Sequence, residues 1–296
     1  MEIASYCQQH ILVIPQALGA LSDVSKVVSC DGSSLYYKDL QQDLVDVEFY
    51  TNQLCLVFVE KGSETLTSWQ NNQVALTAGQ GILLCQGQNL HSDFVKCTQD
   101  LKAWLVFFDK ALVERFLLSL EAGVNKSNVS TESTLVVEHQ VVATFFQQLS
   151  GYLEHEIRLE NMLDCKLTEL LHLLYAVCGE ELRALLQMSE LALPAKRNLY
   201  RLLEQDHVLK LSVSDLAKLS GRSLSGFQRD FKQLYTQSPK QWLIKKRMEY
   251  ANRLVSQGQM CITNVALEVG YNNVSHFIKA YKSTFGETPK QQALKT

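Results

Sequence analysis

Hydrophobic positions fall into three regimes along the chain. Up to about residue 110 they bunch or alternate in short runs. Residues 54–59 form an apolar run of β-formers closed by Glu60-Lys61-Gly62, and 65–69 alternates before Gln70-Asn71-Asn72. With 74–77, 81–85 and 103–108 these read as short strands separated by turn residues. Such a series predicts a sandwich or small barrel. After Asp109 the period becomes helical, with Leu112, Val113, Phe116, Leu117 and Leu120 on one face of 111–121. A polar stretch, 125–133, precedes two long helices predicted over 138–159 and 163–188. The second carries Leu163, Leu167, Leu170, Leu171, Leu174, Val177 and Cys178 at helical spacing. That stripe has two readings, and both can hold. It packs on its own domain, or Leu163, Leu167, Leu170 and Leu174 form an antiparallel helical dimer interface. Pro194 marks a linker at 189–197.

In the third regime one pattern occurs twice. Ala217 stands four residues before Gly221, and Ala266 four before Gly270, the two glycines being 49 residues apart. Each copy runs on to an aromatic-Lys pair, Phe231-Lys232 and Tyr281-Lys282, and closes at Pro239 or Pro289. Small residues let two helices cross closely, and the glycines suit left-handed helix ends. These are two helix-turn-helix units. Their second helices are predicted at 224–235 and 274–284. Leu224, Phe227, Phe231 and Leu234 form the buried stripe of the first, and Phe277, Tyr281 and Phe285 that of the second. Between them a helix is predicted over 239–257, with Pro239 at its first turn and Gly258 beyond its end. Its 19 residues span roughly 28 Å, near the ~34 Å of one DNA turn.

Charge sharpens this picture. Residues 196–296 hold 17 Lys+Arg against 7 Asp+Glu, net +10, whereas 1–195 hold 11 against 24, net −13. An acidic front and a basic tail point to a polyanionic partner for the tail alone. The second helix of each unit would lie in the major groove of double-stranded DNA. Ser225, Gln228, Arg229, Ser275, His276 and Lys279 are then candidates for base contacts, with Ile278 also turned outward. Gln and Arg suit bidentate contact with adenine and guanine edges. Ser223, Lys232, Lys245, Lys246 and Lys282 are candidates for phosphate contacts, which give affinity without sequence information. Arg229 has a second use, an ion pair with Asp230. Arg247 has one too, bracing the two subdomains.

These residues carry a family resemblance. Arg247-Met-Glu-Tyr-Ala251-Asn-Arg-Leu254-Val255, followed by the signature from Ile262 to Pro289, resembles the AraC/XylS family of bacterial transcription regulators over about 196–292. The first copy departs from the family in carrying Thr236 where Gly is usual. Val274, beside Ser275, cannot hydrogen-bond through its side chain. More weakly, 54–62 and 74–84 resemble the family's cupin-like arm. The layout resembles its virulence activators, ExsA-type regulators of type III secretion genes first and the ToxT-like type next. The resemblance implies an α+β protein. Its parts are a cupin-like regulatory and dimerisation domain at 1–188 with a helical hairpin, and an all-α double helix-turn-helix domain at 198–296. It further implies a homodimer that activates transcription by recruiting RNA polymerase, and an N-terminal domain answering to a protein anti-activator or, as the alternative, to a small-molecule effector in the barrel.

An enzyme is not expected. His91 stands alone, and His10, His139, His155 and His172 are scattered, so no two-His-one-carboxylate set emerges. Ser150-Gly151 lacks a nucleophile-elbow pattern, and no phosphate-binding Gly loop is present. No cofactor or metal is expected. The eight cysteines include no C-x-x-C pair and read as reduced, mostly buried thiols of a cytoplasmic protein. Neither a signal peptide nor a membrane span is expected. Trp69, Trp104 and Phe107 could line an effector pocket, although strand aromatics are more often core.

Overall fold

The chain divides into two units, 1–195 and 196–296. The computed structural model describes residues 2–7, 12–96, 99–120, 134–189, 196–204, 206–271 and 273–294. The polar stretch 125–133 and most of the expected linker therefore lie outside the described residues.

The first unit runs α1 (Ile3–Cys7), β1 (Leu12–Ile14), β2 (Val24–Cys30), β3 (Ser33–Leu40), β4 (Leu44–Thr51), β5 (Leu54–Lys61), β6 (Ser63–Ser68), β7 (Gln73–Thr77), β8 (Gln80–Leu84), β9 (Asn89–Phe94), β10 (Leu101–Phe108), α2 (Lys110–Ser119), β11 (Thr134–Glu138), α3 (Gln140–Glu154), α4 (Leu163–Cys178) and α5 (Glu180–Ser189). A five-stranded sheet, β1-β4-β9-β6-β7, faces a six-stranded one, β11-β8-β5-β10-β3-β2. Only the β1–β4 pairing among those described is parallel.

The continuous apolar run in β5 follows from its place at the middle of the larger sheet. Cys55, Val57 and Val59 point between the sheets, while Leu54, Leu56 and Phe58 point to the outer face, where the helices pack. Strand β10 repeats the alternation, with Leu105 and Phe107 inward and Trp104, Val106 and Phe108 toward the helices. Across this outer layer Phe146 of α3 stacks on Phe58 with ring centroids 4.2 Å apart.

The predicted hairpin is corrected in three respects. Residues 134–138 form a strand paired with β8, so α3 starts at Gln140, where the His139 Nδ1 accepts from the Val141 N–H. The predicted 163–188 helix is two helices, because Gly179 takes φ +56° and ψ −130° and ends α4. Leu163, Leu167, Leu170 and Leu174 are at most 2% exposed, packed into their own domain's core. They offer no side-chain surface to a second copy. The solvent side of α4 carries Cys165, Glu169, His172 and Ala176.

The second unit is helical: α6 (Leu199–Glu204), a 3-10 turn (Asp206–Lys210), α7 (Val213–Leu219), α8 (Leu224–Tyr235), α9 (Pro239–Gln257), α10 (Ile262–Glu268), α11 (Val274–Phe285) and α12 (Pro289–Ala293). It has two cores. Leu216, Ala217, Phe227 and Phe231 pack with Trp242 and Leu243. Val265, Ala266, Phe277 and Tyr281 pack with Met248, Ala251 and Val255. The single helix α9 thus supplies one end to each core. Capping boxes start α7 (Ser212/Asp215), α9 (Ser238/Gln241) and α12 (Thr288/Gln291).

Candidate nucleic-acid interface

Two equivalent helix pairs build the candidate surface. Ala217 and Ala266 are buried in the two cores, which lets α7 approach α8 and α10 approach α11. Gly221 and Gly270 take φ +68° and +80° at the turns. A Cβ on Gly270 would lie 3.0 Å from the Leu209 carbonyl oxygen and from the Lys210 Cα, so glycine is required there for space as well as for dihedral.

The outward face of α8 carries Ser225, Gln228, Arg229 and Lys232, all exposed. Ser223 caps the helix, its Oγ accepting from the Gly226 N–H at 3.2 Å. On α11, Ser275, His276, Lys279 and Lys282 are exposed, and the Asn273 side chain caps the helix by accepting from the Ser275 and His276 N–H groups. Phe231, Phe277 and Tyr281 are fully buried. Three residues differ from expectation. Leu224 is 47% exposed because it occupies the first helical position, before the stripe turns inward. Phe285 is 37% exposed at the last position of α11. Ile278 is partly buried against the second core rather than free on the surface.

Lys245 and Lys246 are exposed on α9, and Lys246 pairs with Glu249 at 3.3 Å. Lys246 lines a groove of about 720 Å³ with Tyr235 and Phe285, which end α8 and α11. The base-contact candidates occupy the first two turns of those helices. Ser225 and Tyr235 lie roughly 15 Å apart along the helix axis, so Lys246 belongs to a different part of the surface.

Below the α8 face lies a charged network that sequence reasoning largely missed. Arg222, with a side chain 2% exposed, donates from Nε to Asp230 Oδ2 at 3.0 Å. Its Nη1 donates to the carbonyl oxygens of Arg197 and Ser220 at 2.9 Å each. Lys196 Nζ stands 3.8 Å from the same carboxylate, and Arg229 Nε donates to its Oδ1 at 3.2 Å. Burial pushes the Asp230 pKa up, but hydrogen bonds from Arg222 and Arg229 and the Lys196 charge outweigh it, holding the carboxyl below its ordinary value. The Arg229–Asp230 adjacency was legible. The buried partner, Arg222, had no signal beyond its place in the turn.

Arg247 ties the two subdomains together. From α9 it donates to the carbonyl oxygens of Leu209 at 2.7 Å and Leu211 at 3.0 Å, and its guanidinium lies 5.7 Å from the Tyr271 ring centroid. Lys210 pairs with Glu268 at 2.9 Å across the same junction.

In the first unit a cavity of about 50 Å³ lies between the sheets, lined by apolar side chains with Lys38, Glu64 and Ser92. Lys38 Nζ meets Glu64 Oε1 at 2.6 Å, Ser92 Oγ donates to the same oxygen, and Oε2 has no partner. Trp69, Trp104 and Phe107 do not line this cavity; Trp104 and Phe107 are core. Among the described residues no three His, Cys, Asp or Glu side chains group as metal ligands, and no helix is long and apolar enough to cross a membrane.

Comparison with known proteins places two domains on the chain. A family described as "Helix-turn-helix domain" matches residues 216–293, and one described as "ExsA N-terminal regulatory domain" matches 54–185. The virulence regulon transcriptional activator VirF of Yersinia enterocolitica is 25% identical over 234 residues, covering 77% of this chain and 85% of that protein. The HTH-type transcriptional regulator ExsA of Pseudomonas aeruginosa is 31% identical over 133 residues, 44% of this chain and 47% of its own length. Among solved structures, an apo ToxT variant from Vibrio cholerae aligns over 90% of this chain and 98% of its own at 12% identity, with a TM-score of 0.45.

Proposed function

Because the chain belongs to the AraC/XylS family of transcription regulators, we propose that it binds promoter DNA through two recognition helices and activates virulence genes, type III secretion genes among them. One observation carries this reading. Two exposed rows of polar and basic side chains, on α8 and α11, are held by one connecting helix within a unit of net charge +10. In it Ser225, Gln228, Arg229, Ser275, His276 and Lys279 meet base edges, while Ser223, Lys232 and Lys282 meet phosphates. Two successive major-groove segments are then read by one chain.

Activation proceeds by recruiting RNA polymerase, as a homodimer whose partner surface lies outside the four buried leucines of α4. The relatives named as activators of a virulence regulon support that direction. Regulation acts through the first unit. A cavity of about 50 Å³ has room for only a few waters, which favours a protein antagonist over a small effector lodged between the sheets.

Genome-wide binding of the tagged protein in its host tests the function. Peaks upstream of virulence genes, lost when Arg229→Ala and Lys279→Ala are combined, are the expected result. Binding that ignores those substitutions would count against the assignment of the recognition residues.

A further inference from the structure

We propose that Asp230 is a positioning residue for base reading. It holds Arg229 by Nε so that the remaining edge of the guanidinium is presented to the DNA. The inference rests on the reading above, in which Arg229 meets a base.

An exposed arginine on a helix normally samples many rotamers, and fixing it on binding costs conformational entropy. Here the Arg229 side chain is 75% exposed, yet its Nε donates to Asp230 Oδ1 at 3.2 Å. A carboxylate on the next residue would itself be mobile if it stood alone. Asp230 does not stand alone. Its side chain is only 15% exposed, and Oδ2 is engaged by Arg222, which is fixed in turn by the carbonyls of Arg197 and Ser220. The fold thus sets the carboxylate and the carboxylate sets the arginine. Nε faces back toward the protein. The pair of Nη groups is left free, and they are the fork that matches the O6 and N7 of guanine.

The second reader lacks this device. There the position matching Arg229 is Lys279, and the position matching Asp230 is Ala280. A lysine beside an alanine is a mobile point charge. The α8 half is therefore the stricter reader and the α11 half the more tolerant one. The negative charge of Asp230, set beneath the DNA-facing side of α8, also weakens the attraction for phosphate, so Asp230 trades general affinity for discrimination.

The test uses the full chain and a duplex selected by it from a randomised library, together with the variants of that duplex at each base pair. Competition binding is measured for the unmodified chain, Asp230→Asn, Arg229→Ala and the double variant. Asp230→Asn should lower the preference at the arginine-read base pair by about threefold to tenfold and raise binding to unrelated duplex. In the Arg229→Ala background it should change that preference no further. A preference that survives Asp230→Asn, or falls equally with and without Arg229, would overturn the proposal. If Arg229→Ala alone leaves every preference intact, the base-reading role itself fails. Should Asp230→Asn unfold the unit, NMR of the unmodified chain decides. An ordered, exchange-protected Arg229 Nε–H supports the clamp, and a motionally averaged one refutes it.

Discussion

Arg247 Nε lies 2.7 Å from the carbonyl oxygen of Leu209, so a side chain from the connecting helix α9 closes a bond to the segment that precedes the first helix-turn-helix. A second bond, Nη2 to the Leu211 carbonyl, and the Tyr271 ring complete the brace. Burial lowers the Arg247 pKa, although it remains a cation at any physiological pH. Because charge-assisted bonds to half-buried carbonyls are involved, Arg247→Met should destabilise the second unit by about 2–3 kcal/mol. Urea unfolding reads this directly. A change under about 0.5 kcal/mol would show that the brace is dispensable.

Thr236 closes α8 in the left-handed conformation, with φ +55°, where Gly286 closes α11 with φ +81°. A β-branched residue there carries a cost of roughly 1–2 kcal/mol. Glycine removes it but gives back about 0.5–1 kcal/mol through the entropy of the unfolded chain. Thr236→Gly should therefore stabilise the unit by about 0.5–1 kcal/mol, seen as a higher melting temperature. A lower one would mean that the Thr236 hydroxyl, which donates to the Tyr235 carbonyl at 2.7 Å, matters more than the strain.

The two first helices differ at their caps. Ser212 begins α7 with a reciprocal capping box, whereas Cys261 begins α10 without a side-chain hydrogen bond. Cys261→Ser places an acceptor over the orphan N–H groups and should add about 0.5–1 kcal/mol. The urea midpoint of the variant against the parent measures the gain; no shift would mean that water already satisfies the helix end.

Acid should loosen the α8 network. Asp230 has a folded pKa held below its ordinary value of 3.8, so it contributes stability above that value and loses it as pH falls through the lower, folded value. The difference in unfolding free energy between the parent and Asp230→Asn should thus be widest near about pH 6 and shrink toward about pH 3. A difference independent of pH would assign the effect to shape rather than charge.

The helical unit was the most legible part of the chain, for local reasons. Helix α9 starts at Pro239 and ends before Gly258, and α8 starts at its Ser223 cap. Those signals lie in adjacent residues and need no tertiary context. Strands β5, β6, β7, β8 and β10 were legible from apolar runs and turns. Strand β9 was not, because Asn89, His91 and Ser92 are buried there and polar residues inside a barrel mimic a loop. Strand β2 was hidden by its mostly exposed, edge-like pattern. The leucine stripe of α4 was read correctly as a buried face, but spacing alone does not say whether the same chain or a second copy covers it. The outward residues of α8 were legible from period. The Arg222–Asp230 anchor beneath them was not, since one of its carbonyl partners, that of Arg197, is brought to Arg222 only by folding.

The central claim is that one chain reads two DNA segments through α8 and α11. Base-by-base binding profiles of the unmodified chain, Arg229→Ala and Lys279→Ala test it most directly. Each substitution should cost about 1–3 kcal/mol on the selected duplex. Arg229→Ala should relax one base pair and Lys279→Ala another, roughly one helical turn of about 10 base pairs away. Equal losses on selected and scrambled duplexes, or relaxation of both variants at the same position, would contradict the two-segment reader.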